Sequence, residues 1–88
     1  MSEEKNVKEN NVNAVDWNKV NDELIYKFKA LNVGTFNKGK FYDFYQRKEA
    51  EVADDYIAHE YTDIIDKTTI MPIEHEITDL WRVTIFFK

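Results

Sequence analysis

The 88-residue chain contains no cysteine, which excludes a disulfide-stapled secreted scaffold, a zinc ribbon and a cysteine nucleophile. It has no apolar run near the roughly 18 residues that cross a bilayer, and no signal-peptide core. We therefore expect a cytoplasmic protein without membrane contact. A net positive charge is also lacking: the net charge is −5 and the pI about 4.9, which argues against a general duplex-binding protein.

Signatures of catalysis are missing as well. No serine or threonine stands in a nucleophile-elbow context, and the Gly34 to Gly39 spacing is followed by Lys40-Phe41 instead of the Lys-Ser/Thr of a phosphate loop. His59-Glu60 and Glu74-His75-Glu76 place imidazole beside carboxylate, yet no His-x-x-x-His pair occurs. The sequence predicts a non-enzymatic protein without a metal or another cofactor.

The chain divides into a polar tail over residues 1–13 and a single domain over residues 14–88. The tail has too few apolar side chains to offset the entropy of ordering, so we expect it to be disordered. In the domain, apolar residues at helical spacing predict a helix over residues 14–33 that Asn13 or Asp16 caps and Gly34 ends. The residues of this stripe are Trp17, Val20, Leu24, Phe28 and Leu31.

Strand signals follow in two places. Asn37-Lys38-Gly39 is predicted to form a three-residue turn with Gly39 at positive φ, before an aromatic-rich strand over about residues 40–47. Residues 78–87 alternate strictly, which predicts a strand with one apolar face turned inward. Pro72 restricts the segment around residues 68–73 to an edge strand. Either this segment or residues 40–47 must pair with the last strand.

Residues 50–66 are compatible with either type of element. A helix separates their apolar and acidic residues, whereas a strand mixes both on each face, so the pattern favours a helix. The predicted fold is therefore α+β: one or two helices packed on a small antiparallel sheet. The alternative is one helix on a three-stranded meander with residues 55–65 as its middle strand. The expected core consists of Trp17, Leu24, Phe28, Leu31, Ile57, Ile64, Trp81, Val83, Ile85 and Phe87.

The candidate site is the acidic segment, which we define as residues 51–66. It carries six carboxylates and neither lysine nor arginine. Such a row would engage a basic protein surface, typically that of a nucleic-acid-binding protein, as phage-type inhibitors and nucleic-acid mimics do. Tyr56 or Tyr61 would serve as an anchor. The predicted partner-binding residues are Glu51, Asp54, Asp55, Tyr56, Glu60, Asp63 and Asp66.

A second hypothesis places function on an aromatic and basic strand at 38–48, where basic residues surround a run of aromatic ones. Exposed rings there would stack the bases of a single-stranded nucleic acid and the cations would attract its phosphates. The residues of this alternative are Lys38, Lys40, Phe41, Tyr42, Tyr45 and Arg47. A homodimer also remains open, because so small a chain builds only a small core.

Overall fold

The structure, a computed structural model, describes residues 14–88. Two helices and four strands follow in the order α1, β1, β2, α2, β3, β4, which confirms the predicted α+β class. Their bounds are Trp17–Tyr26 for α1, Asn32–Phe36 for β1, Gly39–Phe44 for β2, Arg47–Glu60 for α2, Ile65–Ile73 for β3 and Leu80–Phe87 for β4. The tail predicted over residues 1–13 lies outside the described residues.

The strands form one antiparallel sheet in the order β1-β2-β4-β3, so β4 pairs with both candidate partners. The alternation of β4 is confirmed, since Val83 and Ile85 are fully buried and Trp81 and Phe87 pack against the core. β3 is an edge strand, as Pro72 requires. A bulge between Ile65 and Lys67 shifts the register of β3 with β4 at the start of β3.

Both helices cover the same face of the sheet. Leu24 of α1 and Ala50, Ala53 and Ile57 of α2 join the core cluster with Tyr42 and Phe44, which alternate on β2. The intervening side chains of β2 and β4 therefore point to the opposite face, which neither helix covers. That open face carries Phe41, Asp43, Arg82, Thr84 and Phe86.

α1 is shorter than the predicted helix over residues 14–33. Asp16 caps its start, with Oδ1 accepting a hydrogen bond from the backbone N–H of Lys19 at 3.2 Å. Its end is set by Lys29, which adopts a left-handed φ of 70°, and the Ala30 N–H donates to the Leu24 carbonyl at 2.9 Å. Leu31 consequently lies outside the helix and is 41% exposed, so its assignment to the core was wrong.

The two glycines serve the sheet and not a helix end or a left-handed turn. Neither has positive φ: Gly34 lies in β1 opposite Phe41, and Gly39 opens β2 opposite Phe36. A Cβ on Gly34 would come within 2.0 Å of the Phe41 ring, and one on Gly39 within 1.9 Å of the Ile85 carbonyl oxygen. The predicted roles were wrong because Gly34 makes room for the Phe41 ring, and Gly39 makes room for the Ile85 backbone and the Phe36 ring.

Residues 50–66 are helical only in part. α2 starts at Arg47, three positions before residue 50, and the N–H of the preceding residue, Gln46, donates to the Glu49 carboxylate at 3.3 Å. It ends at Glu60, before Asp63 and Asp66, whose carboxylates would oppose the negative end of the helix dipole. The helix prediction was thus right over residues 50–60 and wrong over residues 61–66, and the three-stranded meander is excluded.

Candidate functional site

The acidic segment is mostly exposed, but its carboxylates do not share a single helical face. Five of its carboxylate residues are exposed and Asp54 is half-buried. Glu51 and Asp55 are about 40° apart around the axis of α2, whereas Glu60 lies about 140° from Asp55, on the side of α1. Asp63 follows in the turn and Asp66 at the bulge of β3. The exposed carboxylates therefore extend from the second turn of α2 to the start of β3.

Few cations of the described chain neutralise this surface. Within residues 14–88, the Arg47–Glu51 pair, at 3.1 Å between Nε and Oε2, is the one ion pair that involves a carboxylate of the acidic segment. Lys67 follows Asp66 in the chain, but its Nζ lies over the Phe86 ring, 5.1 Å from the centroid. The carboxylates of Asp55, Glu60, Asp63 and Asp66 thus keep their field toward solvent.

Asp54 differs from its neighbours. Its Oδ1 is buried and accepts no hydrogen bond from the described residues. A carboxylate oxygen in that position loses hydration without compensation, which is costly in an isolated chain. Asp54 therefore belongs to the rim where α2 meets the rest of the fold, and is the least accessible of the predicted partner-binding carboxylates.

The two tyrosines of the segment belong to a cluster between α1 and α2. The Tyr56 hydroxyl donates to Glu23 Oε1 at 2.6 Å, and this hydrogen bond, together with burial, raises the pKa of Tyr56. Burial is also the main cause of the raised pKa of Tyr61, followed by the charges of Glu23 and Glu60. The Tyr61 ring lies 6.0 Å from Trp17 and the Tyr56 ring 4.9 Å from Phe28. Both rings are half-buried, so they present edges and not whole faces to a partner.

The residues of the alternative hypothesis do not form one surface. Tyr42 is fully buried, and its hydroxyl donates to Asn21 Oδ1 at 2.8 Å. Phe41 lies on the open sheet face beneath Arg82, whose guanidinium carbon is 3.9 Å from the ring centroid. Tyr45 and Arg47 are exposed beyond the far end of β2, about 20 Å along the strand from Lys38. The strand also separates Phe41 from Lys40 and Tyr42, because alternate side chains of β2 point to opposite faces of the sheet.

Two members of that set, Lys38 and Lys40, do meet in what we call the basic aromatic cleft. It lies between the start of α1, the β1–β2 turn and the end of β4, with a volume of about 430 Å³. It is lined by Trp17, Thr35, Phe36, Asn37, Lys38, Lys40, Phe87 and Lys88. The sequence did not reveal this grouping, because Trp17, Phe36 and Phe87 come from three separate elements.

Lys40 is the unusual residue of the cleft. Strand alternation turns it to the helix side with Tyr42, and it is only 8% exposed. Its Nζ donates to Thr35 Oγ1 at 3.0 Å and lies 5.2 Å from the centre of the Trp17 ring. Desolvation lowers the pKa of this ammonium group. No carboxylate of residues 14–88 forms an ion pair with it.

Other site types find little support in the described part of the chain. Over residues 14–88, no three histidine or acidic side chains converge where they could hold a metal ion. His59 and His75 are exposed on α2 and in the β3–β4 loop, respectively. Across the same residues, no helix has the length and apolar character needed to cross a membrane.

Comparison with known proteins adds no relative. No family model matches the chain, and neither a curated protein nor a solved structure is significantly similar to it. Any functional assignment must therefore come from the surface chemistry described above.

Proposed function

We propose that the protein is a non-enzymatic binding module whose acidic segment docks on a basic surface of a partner protein. The observation that carries this proposal is the exposure of five acidic residues between the second turn of α2 and the start of β3, of which only Glu51 has a cationic partner within residues 14–88. A basic partner would be attracted by the negative field that residues 14–88 leave unopposed.

The arrangement suits electrostatic recognition more than a hydrophobic interface. Long-range attraction between opposite surfaces raises association rates and falls as salt screens it, with a Debye length of about 8 Å at physiological ionic strength. Exposed carboxylates are anions, as are the phosphates that a basic nucleic-acid-binding groove attracts. A partner that normally binds nucleic acid fits this proposal best, and docking there would exclude the nucleic acid.

Tyr61 and Tyr56 provide the remaining anchor. Their rings border the acidic residue Glu60 and stay partly accessible. Tyrosine beside desolvated charge is a frequent hot-spot residue at protein interfaces. In this proposal the carboxylates steer the encounter, and the tyrosine edges contribute short-range contact next to α1.

A matched pair of charge variants tests the proposal. The site variant carries Asp55→Asn, Asp63→Asn and Asp66→Asn, whereas the control carries Glu74→Gln, Glu76→Gln and Asp79→Asn in the exposed β3–β4 loop. Each removes three negative charges, so net charge changes equally. A partner captured by the wild-type protein is identified, purified and titrated with both variants.

We expect the site variant to lose affinity by about tenfold or more, mainly through slower association at low salt, and the loop control to bind within about twofold of wild type. A duplex competitor should displace the wild-type protein if the partner surface is a nucleic-acid groove. Equal affinity of the two variants would refute the acidic segment as the docking site.

A further inference from the structure

The sheet of residues 14–88 has two free edges, and they differ in their protection against further pairing. β3 forms one edge and carries three features that discourage it: the exposed Lys67, Pro72 and the bulge at its start. β1 forms the other edge and has none of these features. Its five residues, Asn32 to Phe36, are uncharged and pair with β2 in a regular register. The β1 edge is therefore the one that can accept another strand.

Hydrogen-bond direction identifies the backbone groups that β1 leaves free. The Phe87 N–H donates to the Lys38 carbonyl at 2.8 Å. In the antiparallel ladder, the next residue of β2, Gly39, therefore turns its own N–H and C=O away from β4 and toward β1. Every second residue along β1 then bonds to β2. The N–H and C=O groups of Val33 and Thr35 consequently point outward from the sheet.

The opposite edge provides a check on this assignment. The same alternation, carried across β4, turns the backbone groups of Thr68, Ile70 and Pro72 outward on β3. Proline has no N–H, and within a sheet it is found where that position faces away from the ladder. Pro72 stands at such a position, so the outward assignment agrees with the sequence at an edge that was not used to derive it.

An identical strand is complementary to the β1 edge. Antiparallel pairing about a two-fold axis at Gly34 sets Val33 of each copy opposite Thr35 of the other, so the outward donors of one copy meet the outward acceptors of its partner. β1 has no charged side chain, so the pair brings no like charges together although each chain carries a net −5. The two Gly34 Cα atoms come to roughly 4.5 Å of each other. The Phe41 ring that lies over each Gly34 then neighbours its counterpart.

We propose that two copies of this protein associate through β1, paired antiparallel about Gly34, and so join their four-stranded sheets into one. A strand of five residues makes a small interface, so the dimer is weak and forms as concentration rises. The acidic segment runs to the start of β3 at the opposite edge of the sheet and stays exposed in each copy. The dimer is therefore independent of the proposed docking, and it presents two acidic segments to a partner.

A matched pair of proline variants tests the interface. Thr35→Pro removes an outward N–H from β1, and Thr68→Pro removes an outward N–H from β3; both threonines lie on the helix side of the sheet. In sedimentation of the full-length wild-type protein, the average mass should rise from one chain toward two between micromolar and millimolar concentration. We expect Thr35→Pro to raise the dissociation constant of the dimer about tenfold or more, and Thr68→Pro to leave it within about twofold.

Hydrogen exchange of the wild-type protein gives a second measurement that needs no variant. The amides of Val33 and Thr35 should gain protection as concentration rises through the range in which the dimer forms. Those of Thr68 and Ile70, at the other edge, should not change. This measurement decides the case if Thr35→Pro fails to fold.

Three outcomes would overturn the proposal. The first is a wild-type protein that sediments as one chain at every concentration, which would leave the β1 edge to a strand of another protein. The second is an equal loss of the dimer in Thr35→Pro and Thr68→Pro. The third is a dimer that forms without added protection at Val33 and Thr35, because its interface would then lie elsewhere.

Discussion

The Asp43–Arg82 pair gives the sharpest prediction on stability, because its two partners are unequally buried. Arg82 Nε and Nη2 donate to the Asp43 carboxylate at 2.8 and 3.1 Å, and the side chains are 34% and 2% exposed, respectively. Without Asp43, the guanidinium can turn to solvent. Without Arg82, the carboxylate stays buried with only Asn32 Nδ2, at 3.4 Å, as a side-chain donor. Loss of the arginine should therefore cost more.

The magnitudes follow from this asymmetry. Arg82→Met leaves an uncompensated buried charge and should lower the free energy of unfolding by about 3–5 kcal/mol. Asp43→Asn keeps an acceptor for Arg82 and loses the charge-assisted part of two hydrogen bonds, about 1.5–3 kcal/mol. Replacing both partners by Asp43→Leu and Arg82→Met removes the charges together, so the double variant should be within about 2 kcal/mol of wild type.

Urea unfolding followed by tryptophan fluorescence measures these differences, provided the m-value is unchanged between variants. The double variant serves as the internal control, since it recovers the stability that Arg82→Met alone loses. A smaller loss in Arg82→Met than in Asp43→Asn would refute the burial argument. So would a double variant no more stable than Arg82→Met.

The remaining predictions concern the helix end and the tyrosine cluster. Lys29→Gly should raise the urea midpoint by an amount equivalent to about 0.5–1 kcal/mol, because glycine removes the cost of a left-handed residue; Lys29→Ala keeps that cost and should give no such gain. Tyr56, whose pKa is raised by its hydrogen bond to Glu23, stays protonated in the folded protein when it would ionise in the unfolded chain near pH 10. Its contribution to stability is full below that pH and declines as pH rises above it. Tyr56→Phe should flatten this alkaline loss, and an unchanged pH profile of the unfolding midpoint would contradict it.

The fold class could be predicted because its strongest signals are local. The alternation of β4 and the 3-and-4 spacing around Ala53 and Ile57 depend only on which side of an element faces the core. The ends of the helices were less predictable from the sequence than the fold class. Lys29 takes the left-handed position that glycine usually occupies, so the chain carries no residue signal for the end of α1.

The two glycines also show where prediction from the sequence fails. Gly34 and Gly39 carry signals typical of caps and turns, but they are required where a phenylalanine from the neighbouring strand crosses the backbone. Cross-strand pairing of this kind depends on register, which the sequence of one strand does not specify. The assignment of Leu31 to the core was wrong for a related reason, since α1 ends before Leu31 instead of continuing past it as predicted.

The two candidate sites also differ in how far they could be predicted from the sequence. The acidic segment is contiguous in sequence, so its charge could be predicted, although the end of α2 at Glu60, which leaves Asp63 and Asp66 outside the helix, could not. The basic aromatic cleft depends on contacts between α1, the β1–β2 turn and β4, and on the burial of Lys40. Lys40 stands in an aromatic-rich strand beside three other basic residues, and nothing in that pattern singles it out.

Hydrogen exchange of the complex with the captured partner tests the docking surface most directly. The proposal predicts new protection of backbone amides in α2 and the following turn, centred on residues 51–66, that disappears as salt is raised. Protection confined to the open face around Phe41 and Phe86, with residues 51–66 unchanged, would contradict it.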